Sequence, residues 1–218
     1  MKRPQARFTC IVLAAATVAH ALLAADIPSP DESLAGLLAG NQRFVAGTAS
    51  HPHQSADRRT ALASGQQPFA IILTCADSRV SPEIYFDQGL GDLFVLRNAG
   101  NVLDDHTIGS IEYAVEHLHA GLIVVVGHEK CGAVAATVAG GHAPGHISSI
   151  VESIGPALEA VQKQDGDKVA NTVRENARRV AAILRDAEPI IGEAVKAGRV
   201  RVVAACYDLA TGRIEILP

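Results

Sequence analysis

Short apolar runs recur along this 218-residue chain, and their length limits the folds that it can adopt. Residues 69–75, 122–127 and 200–206 each form such a run, and residues 92–97 form another. Runs of this length suit strands rather than helices, and continuous apolar strands are typical of a sheet that is buried on both faces. The chain therefore predicts a covered sheet of short strands.

Segments with helical spacing of apolar residues separate these strands. A helix is predicted to begin at Ser29-Pro30-Asp31-Glu32 and to end at Gly47. Residues 108–118 have the same spacing, and a short alanine-rich helix is predicted after Cys131. Strands that alternate with helices indicate a sheet whose strands are mainly parallel.

The C-terminal third of the chain is mainly helical before it returns to the sheet. Residues 147–197 are predicted to form two or three helices, with breaks near Gly155-Pro156 and at Pro189. Residues 213–217 are predicted to form an edge strand through a hairpin. We therefore predict an α/β fold with a mainly parallel central sheet flanked by helices, a C-terminal edge strand and a single domain.

Residues 1–25 have the features of a signal peptide. Lys2, Arg3 and Arg7 give a positive start, and a mostly apolar stretch with small residues at its end follows. We expect a secreted protein of the bacterial periplasm, with one domain at residues 26–218. An uncleaved N-terminal anchor is the alternative, although the stretch is short for a membrane span. No second apolar run reaches membrane length.

The cysteine count indicates a role for thiols other than disulfide bonding. Of four cysteines, Cys10 lies in the leader, which leaves Cys75, Cys131 and Cys206. An odd number is unusual for a disulfide framework in an oxidising compartment. We expect Cys206 to be a small buried strand residue. The net charge of −4, with both signs interspersed, argues against nucleic acid as a partner.

Metal-binding residue types follow two of the predicted strands. Cys75 ends the first, and His128 and Cys131 follow residues 122–127. Parallel strands place their carboxyl ends at one edge of the sheet, so these three residues can converge. Thiolate and imidazole together favour zinc, and three protein ligands leave one tetrahedral position open, as in catalytic sites. Two buried cysteines and a core histidine are the alternative.

Asp77 and Arg79 come directly after Cys75. They could form an ordinary ion pair in a turn. Beside a zinc ion, however, a guanidinium would keep Asp77 ionised as a hydrogen-bond acceptor for the reacting water. It would also restrain Asp77 from binding the metal as a fourth ligand.

These motifs resemble the signature of the β-class carbonic anhydrase family. Cys75-Ala76-Asp77-Ser78-Arg79-Val80 is followed, after one strand–helix–strand passage, by Gly127-His128 and Cys131-Gly132. Further similarities extend over residues 34–217, including Gly65-Gln66-Gln67-Pro68 and Arg97-Asn98-Ala99-Gly100-Asn101. The resemblance implies zinc on Cys75, His128 and Cys131, a catalytic Asp77–Arg79 dyad, and a homodimer or dimer-based tetramer with clefts at the dimer interface.

The family has two types of site, and this sequence resembles the type with an open zinc position and an active-site glutamine. Gln66 stands where that glutamine contacts substrate from the neighbouring subunit, although by itself it could be a solvated loop amide. Ile72 replaces the tryptophan that the other type uses in a regulatory bicarbonate site. Phe94 and Tyr113 match aromatic residues that line the cleft, but could equally be core residues.

His117 is a further candidate for the reaction. It lies four residues after Tyr113, so the two share a helix face. Because the pKa of histidine lies near neutrality, His117 could pass protons between solvent and the site. A surface histidine without a role is the alternative.

The sequence therefore predicts zinc-dependent, reversible hydration of carbon dioxide to bicarbonate and a proton. Hydrolysis of carbon disulfide or carbonyl sulfide on the same zinc core is one alternative, because relatives in the family perform it. A non-catalytic zinc-binding protein is the other alternative, and a fourth protein ligand in the open position would favour it.

Overall fold

The sheet of this protein has five strands within residues 27–218, which are the residues that the computed structural model describes. The predicted leader at residues 1–25 lies outside that range. The strands are β1 Ala70–Cys75, β2 Leu93–Asn98, β3 Leu122–His128, β4 Arg201–Tyr207 and β5 Ile214–Leu217. Their order is β2-β1-β3-β4-β5; the first four are parallel, and β5 pairs antiparallel with β4. This confirms the predicted α/β fold and its C-terminal edge strand.

Eight α-helices lie among the described residues. They are α1 Pro30–Val45, α2 Ala56–Ala61, α3 Pro82–Tyr85, α4 Asp105–Glu116, α5 Gly132–Ala139, α6 Ile147–Ala160, α7 Lys168–Arg185 and α8 Ile191–Lys196. Helix α7 packs against β3 and β4, and α1 also contacts β3. The short helices α2 and α3 lie in segments for which the sequence predicted no helix. No helix in residues 27–218 is long and apolar enough to cross a membrane.

The central strands β1 and β3 are buried at every position, as their continuous apolar sequences predict. Each fully buried isoleucine, leucine or valine on them contributes about 1.5–3 kcal/mol through removal of apolar surface from water. Strand β2 is the edge strand beside β1, and its residues are half-buried or exposed. The sheet is therefore fully covered at its centre and open at the β2 edge.

Helix α1 begins where the sequence predicts. The Ser29 side chain accepts a hydrogen bond from the Glu32 amide, and the Glu32 carboxylate accepts one from the Ser29 amide in return. The helix buries Leu34 and Leu37. It ends at Val45, close to Gly47, which has a positive φ of 69°.

The prediction of a helix break near Gly155-Pro156 is wrong. Helix α6 continues through Pro156, and the break falls instead at residues 161–167. Pro156 removes one amide donor, but Ile154 and Ala157 on either side of it are buried in the core and hold the helix. The Asp167 carboxylate accepts a hydrogen bond from the Ala170 amide and so begins α7. The predicted break at Pro189 is confirmed, between α7 and α8.

Candidate metal centre

Three potential metal ligands converge at the carboxyl edge of the sheet. Cys75 is the last residue of β1 and His128 the last residue of β3, while Cys131 is the N-cap of α5. Their ligand atoms all lie within 4.8 Å of one another, and the two Sγ atoms are 4.0 Å apart. All three side chains are buried. Within residues 27–218 this is the only group of His, Cys, Asp and Glu side chains with such spacing.

A tight turn between His128 and Cys131 brings the second thiol back to the first. Lys130 has a φ of 51°, in the left-handed region, which reverses the chain direction at a cost of about 1–2 kcal/mol. The Glu129 amide donates to the carbonyl of Tyr207 on β4, which extends the sheet to the start of this turn. The sheet therefore holds the strained backbone at Lys130 on its N-terminal side.

The imidazole of His128 is oriented as a metal ligand would be. Its Nδ1 lies 2.9 Å from the carbonyl oxygen of Glu129, which can only accept a hydrogen bond, so Nδ1 carries the proton. Its Nε2 is buried and has no hydrogen-bond partner among residues 27–218. A buried nitrogen without a partner is costly unless a metal ion takes its lone pair. Two thiols and this nitrogen form a donor set that fits zinc.

The electrostatics of the three side chains favour one thiolate, on Cys75. The hydrogen bond between the two thiols lowers the pKa of Cys75 and raises the pKa of Cys131, because one sulfur is stabilised as a thiolate by the other. Burial lowers the pKa of His128, but interactions with the Cys75 sulfur, the Glu129 carbonyl and Asp77 together outweigh burial and raise that pKa overall. A buried thiolate beside an imidazole is a site prepared for a cation.

Asp77 lies next to the three ligands but is held away from them. One of its carboxylate oxygens accepts from the Arg79 amide and Nε, each at 2.9 Å, and the other accepts from an Arg79 terminal nitrogen at 2.7 Å. These hydrogen bonds hold the pKa of Asp77 well below its usual range. Asp77 Oδ2 is 3.9 Å from His128 Nε2. The carboxylate is thus ionised and faces the site.

Sequence reasoning assigned no role to Arg97, near the end of β2, or to Gly100, just after β2, although both contact this site. The Arg97 guanidinium donates to the carbonyl of Cys75 at 3.1 Å and to the carbonyl of Asp77 at 2.7 Å. The amide of Gly100 donates to Cys75 Sγ at 3.4 Å. Both belong to the Arg97-to-Asn101 motif, so the signal was present in the sequence, but only the fold shows what these groups contact.

Four other predicted site residues lie apart from the three ligands, and no hydrogen bond among residues 27–218 joins them to the group. Gln66 is in an exposed loop before β1. Phe94 on β2 and Tyr113 on α4 have ring centres 6.4 Å apart, and the rings of Tyr113 and His117 are 5.2 Å apart. Tyr113 and His117 are exposed. Phe94, Tyr113 and His117 thus form a row beside the β2 edge, distinct from the buried ligands.

Comparisons with known proteins agree on one family. The family model described as "Carbonic anhydrase" matches residues 70–214. "Carbonic anhydrase 2" of Mycobacterium tuberculosis is 43% identical over 189 residues, covering 85% of this chain and 91% of that protein. The carbonic anhydrase of Mycolicibacterium smegmatis is also 43% identical, over 81% of this chain and 88% of that protein.

Solved structures give the same result for the fold. One of two tetrameric β-carbonic anhydrases from Sordaria macrospora has a TM-score of 0.70 and 27% identity, covering 85% of this chain and 97% of that one. The Coccomyxa β-carbonic anhydrase in complex with acetazolamide has a TM-score of 0.66 and 26% identity, covering 84% and 86% of the two chains. The chain therefore belongs to the β-carbonic anhydrase family.

Proposed function

We propose that the chain catalyses the reversible hydration of carbon dioxide to bicarbonate and a proton, with zinc held by Cys75, His128 and Cys131. β-Carbonic anhydrases are zinc enzymes, and the observation that carries the proposal is the Cys-His-Cys group at the strand ends. When bound, zinc acts as a Lewis acid that lowers the pKa of a water molecule, which makes a nucleophile near neutral pH.

In this proposal Asp77 positions the reacting water. Its carboxylate is ionised and fixed by Arg79, so it accepts a hydrogen bond without rearranging during the reaction. Arg97 fixes the backbone on either side of Ala76, which keeps Asp77 in register with Cys75. Preorganised acceptors of this kind contribute to catalysis because they need no reorganisation at the transition state.

The restraint on Asp77 also supports an enzyme over a zinc-binding protein without activity. A structural zinc site has four protein ligands, whereas a catalytic site leaves one position open. The Asp77 carboxylate lies 3.9 Å from His128 Nε2, yet it is outside the group of convergent ligands. Its three hydrogen bonds with Arg79 oppose movement towards them.

The open edge of the sheet supports a homodimer as the minimal unit. Strand β2 is an edge strand with half-buried apolar residues, and a groove of about 380 Å³ runs between it and the start of α4. A long edge of this kind is protected in most proteins by pairing or by cover. Two copies related by a two-fold axis would cover it, and a structural relative from Sordaria macrospora is described as tetrameric.

We assign Gln66, Phe94 and Tyr113 to the active site of the opposite subunit. In the register of the sheet, Cys75 pairs with Asn98 whereas Phe94 pairs with Ile71. Phe94 is thus four residues back along β2 from the level of Cys75, or about 13 Å at about 3.3 Å per residue. Half-buried Phe94 and exposed Tyr113, at the β2 edge, and exposed Gln66 are therefore better placed to line a partner's cleft than their own.

His117 is proposed to exchange protons with solvent at the mouth of that cleft. It is exposed at the end of α4 and its ring contacts Tyr113.

Ile72 is fully buried among apolar neighbours, which supports the absence of the regulatory bicarbonate pocket. A dimer structure with Gln66 far from both zinc sites would contradict the assignment of Gln66 to the opposite subunit. Cooperative inhibition by bicarbonate would contradict the absence of the regulatory pocket.

We also propose secretion to the periplasm with removal of residues 1–25. The support is the sequence of that segment, with three basic residues before an apolar stretch. N-terminal sequencing of the exported protein tests this, because a start near Asp26 is expected. Recovery of the intact N-terminus on membranes would instead support an uncleaved anchor.

The function is tested on the purified protein by metal analysis and stopped-flow carbon dioxide hydration. We expect one zinc per chain and measurable turnover, with Cys75→Ser losing both. Cys206→Ser is the matched control, because Cys206 is equally buried but lies outside the ligand group. Turnover of carbonyl sulfide or carbon disulfide without hydration of carbon dioxide would favour the hydrolase alternative. Zinc without turnover of any of these substrates would favour a non-catalytic protein.

A further inference from the structure

The buried amide of Asn176 faces the segment that contacts Cys75. Asn176 lies on the buried face of α7, among Val173, Ala177 and Val180, where apolar residues are the rule. Its Nδ2 donates to the carbonyl of Gly100 at 2.9 Å, and the side chain is buried. A polar side chain on the apolar face of a helix is costly to bury, so this hydrogen bond must offset the desolvation of the amide.

The amide of the same residue, Gly100, donates to Cys75 Sγ at 3.4 Å. Gly100 has a φ of 76°, and a Cβ there would lie 2.7 Å from Ile154 Cδ1 and 3.2 Å from Ala133 Cβ. The Gly100 backbone therefore packs closely against α5 and α6, in a conformation that L-residues rarely adopt. With the carbonyl bound by Asn176, the orientation of Gly100 is fixed on both sides.

Helix α7 reaches this segment because β3 ends in a glycine before His128. A Cβ on Gly127 would lie 3.1 Å from Val173 Cγ1 and 3.2 Å from the Val173 carbonyl oxygen. The close approach of α7 to β3 places Asn176 within reach of the Gly100 carbonyl, 76 residues away in the chain. The helix that covers the end of β3 thus also contributes to the surroundings of Cys75.

We propose that Asn176 is a positioning residue for the metal centre, because it holds Gly100 so that the Gly100 amide donates to the Cys75 sulfur. Such a hydrogen bond orients the thiolate and withdraws electron density from it, which tunes how strongly the sulfur donates to a bound metal. The proposal rests on the proposed function only in taking Cys75 as a zinc ligand.

The test compares the wild type with Asn176→Leu, which keeps the approximate size of the side chain but removes the donor. Thr172→Val is the matched control, because Thr172 is buried one turn earlier and its hydroxyl donates to Lys168 within the helix. Each protein is loaded with Co²⁺, and the thiolate-to-cobalt charge-transfer band is recorded. Zinc affinity is measured by competition with a chelator, and the folded state of the metal-free proteins is checked by circular dichroism.

We expect Asn176→Leu to shift the charge-transfer band to longer wavelength, because a thiolate without its hydrogen bond is a stronger donor. Zinc affinity should nevertheless fall by about tenfold or more, because the sulfur is no longer held in the orientation for binding and this loss outweighs its stronger donation. Thr172→Val should change neither quantity. An unchanged band and unchanged affinity in Asn176→Leu would overturn the proposal, and equal changes in both variants would reduce Asn176 to a packing role.

A measurement on the wild type keeps the test decisive if Asn176→Leu does not fold. In isotope-labelled protein loaded with ¹¹³Cd, we expect a scalar coupling between the metal and the Gly100 amide proton through Cys75 Sγ. A second coupling, between Asn176 Nδ2 and the Gly100 carbonyl carbon, is expected across the other hydrogen bond. Absence of either coupling would overturn the proposal. Failure of the wild type to bind any of these metals would instead contradict the proposed function.

Discussion

Asp77 and Asp87 are each bound by an arginine, yet their carboxylates lie in different surroundings. The side chain of Asp77 is 17% exposed, and within residues 27–218 all of its hydrogen bonds come from Arg79. One of its oxygens also faces His128 Nε2 at 3.9 Å, and that nitrogen has no hydrogen-bond partner in the described part of the chain. Asp77 therefore keeps acceptor capacity on the side that faces the proposed metal.

Asp87 shows the opposite arrangement. Its side chain is fully buried, and its two oxygens accept from Arg43 Nε, the amide and hydroxyl of Ser50, and the amide of His51. Burial raises the pKa of Asp87, but these hydrogen bonds outweigh burial and hold that pKa well below its usual range. A depressed carboxyl pKa is thus common to both residues. What separates a candidate catalytic group from a structural one is whether an acceptor faces the site.

The largest effect is expected when Asp77 is changed to asparagine. This substitution keeps the shape but removes the charge that would position the reacting water, so turnover should fall by about 100-fold or more. Zinc content and the midpoint of thermal unfolding should remain close to those of the wild type. Stopped-flow hydration of carbon dioxide at matched zinc content measures the change. Wild-type turnover in the variant would show that Asp77 has no catalytic role.

Asp87→Asn should have the opposite pattern of effects, with a loss of stability and no loss of turnover. The amide cannot accept all four hydrogen bonds, and it leaves Arg43 without a charged partner, so the free energy of unfolding should fall by about 2–3 kcal/mol. Turnover per folded, zinc-loaded molecule should not change. Urea unfolding and the same hydration assay measure the two quantities. A loss of turnover without a loss of stability would contradict the structural assignment of Asp87.

The stabilisation from Asp87 should also depend on pH. Because its pKa is lower in the folded than in the unfolded state, the stabilisation is complete above the unfolded pKa of about 3.9. It is lost progressively as pH falls below that value towards the folded pKa. The difference in unfolding free energy between wild type and Asp87→Asn should therefore narrow below about pH 4. A difference that stays constant across that range would show that the charge of Asp87 does not carry its effect.

Arg79→Ala tests the restraint on Asp77. Without the two hydrogen bonds from the guanidinium, Asp77 is held only by the backbone amide of residue 79 and can move towards Cys75, His128 and Cys131, so turnover should fall by about tenfold or more. Zinc should be retained, and the absorption of the cobalt-loaded variant should differ from that of the wild type because the set of ligands changes. Retained turnover together with an unchanged spectrum would contradict a restraining role for Arg79.

The sheet was predictable from the sequence because burial on both faces demands continuous apolar strands. Strands β1 and β3 coincide with the apolar runs almost to the residue, and the order of chain elements indicated their parallel arrangement. The prediction was wrong at Pro156, where burial of neighbouring side chains overrides the local effect of proline. Helix α2 was missed because it buries none of its residues, which leaves no apolar pattern to detect.

The three ligands of the candidate site were predictable from the sequence, whereas the residues that surround them were not. Cys75, His128 and Cys131 could be brought together by reasoning, because parallel strands end at one edge. The contact between Asn176 and Gly100 could not be predicted in this way, because it depends on how closely α7 approaches β3. A polar residue at a buried position of an amphipathic helix was the available signal. Gln66 and His117 stay predictions, since their proposed roles involve a second copy of the chain.

The smallest effect is expected at Arg43, and it sharpens the comparison between the two carboxylates. The Arg43 side chain is 38% exposed, so water screens its attraction to Asp87. Asp87 would also keep the donors of Ser50 and His51. Arg43→Gln should therefore lower the free energy of unfolding by only about 0.5–1 kcal/mol and leave turnover unchanged.

The exposed pair Arg201–Asp31 provides the control for this last prediction. Its side chains are 46% and 81% exposed, so Arg201→Gln should cost no more than Arg43→Gln. Urea unfolding of both variants beside Asp87→Asn gives the ranking. If Arg43→Gln costs as much as Asp87→Asn, the arginine rather than the backbone amides stabilises Asp87. The two carboxylates would then depend on their arginines to the same degree, and only the open face of Asp77 would distinguish them.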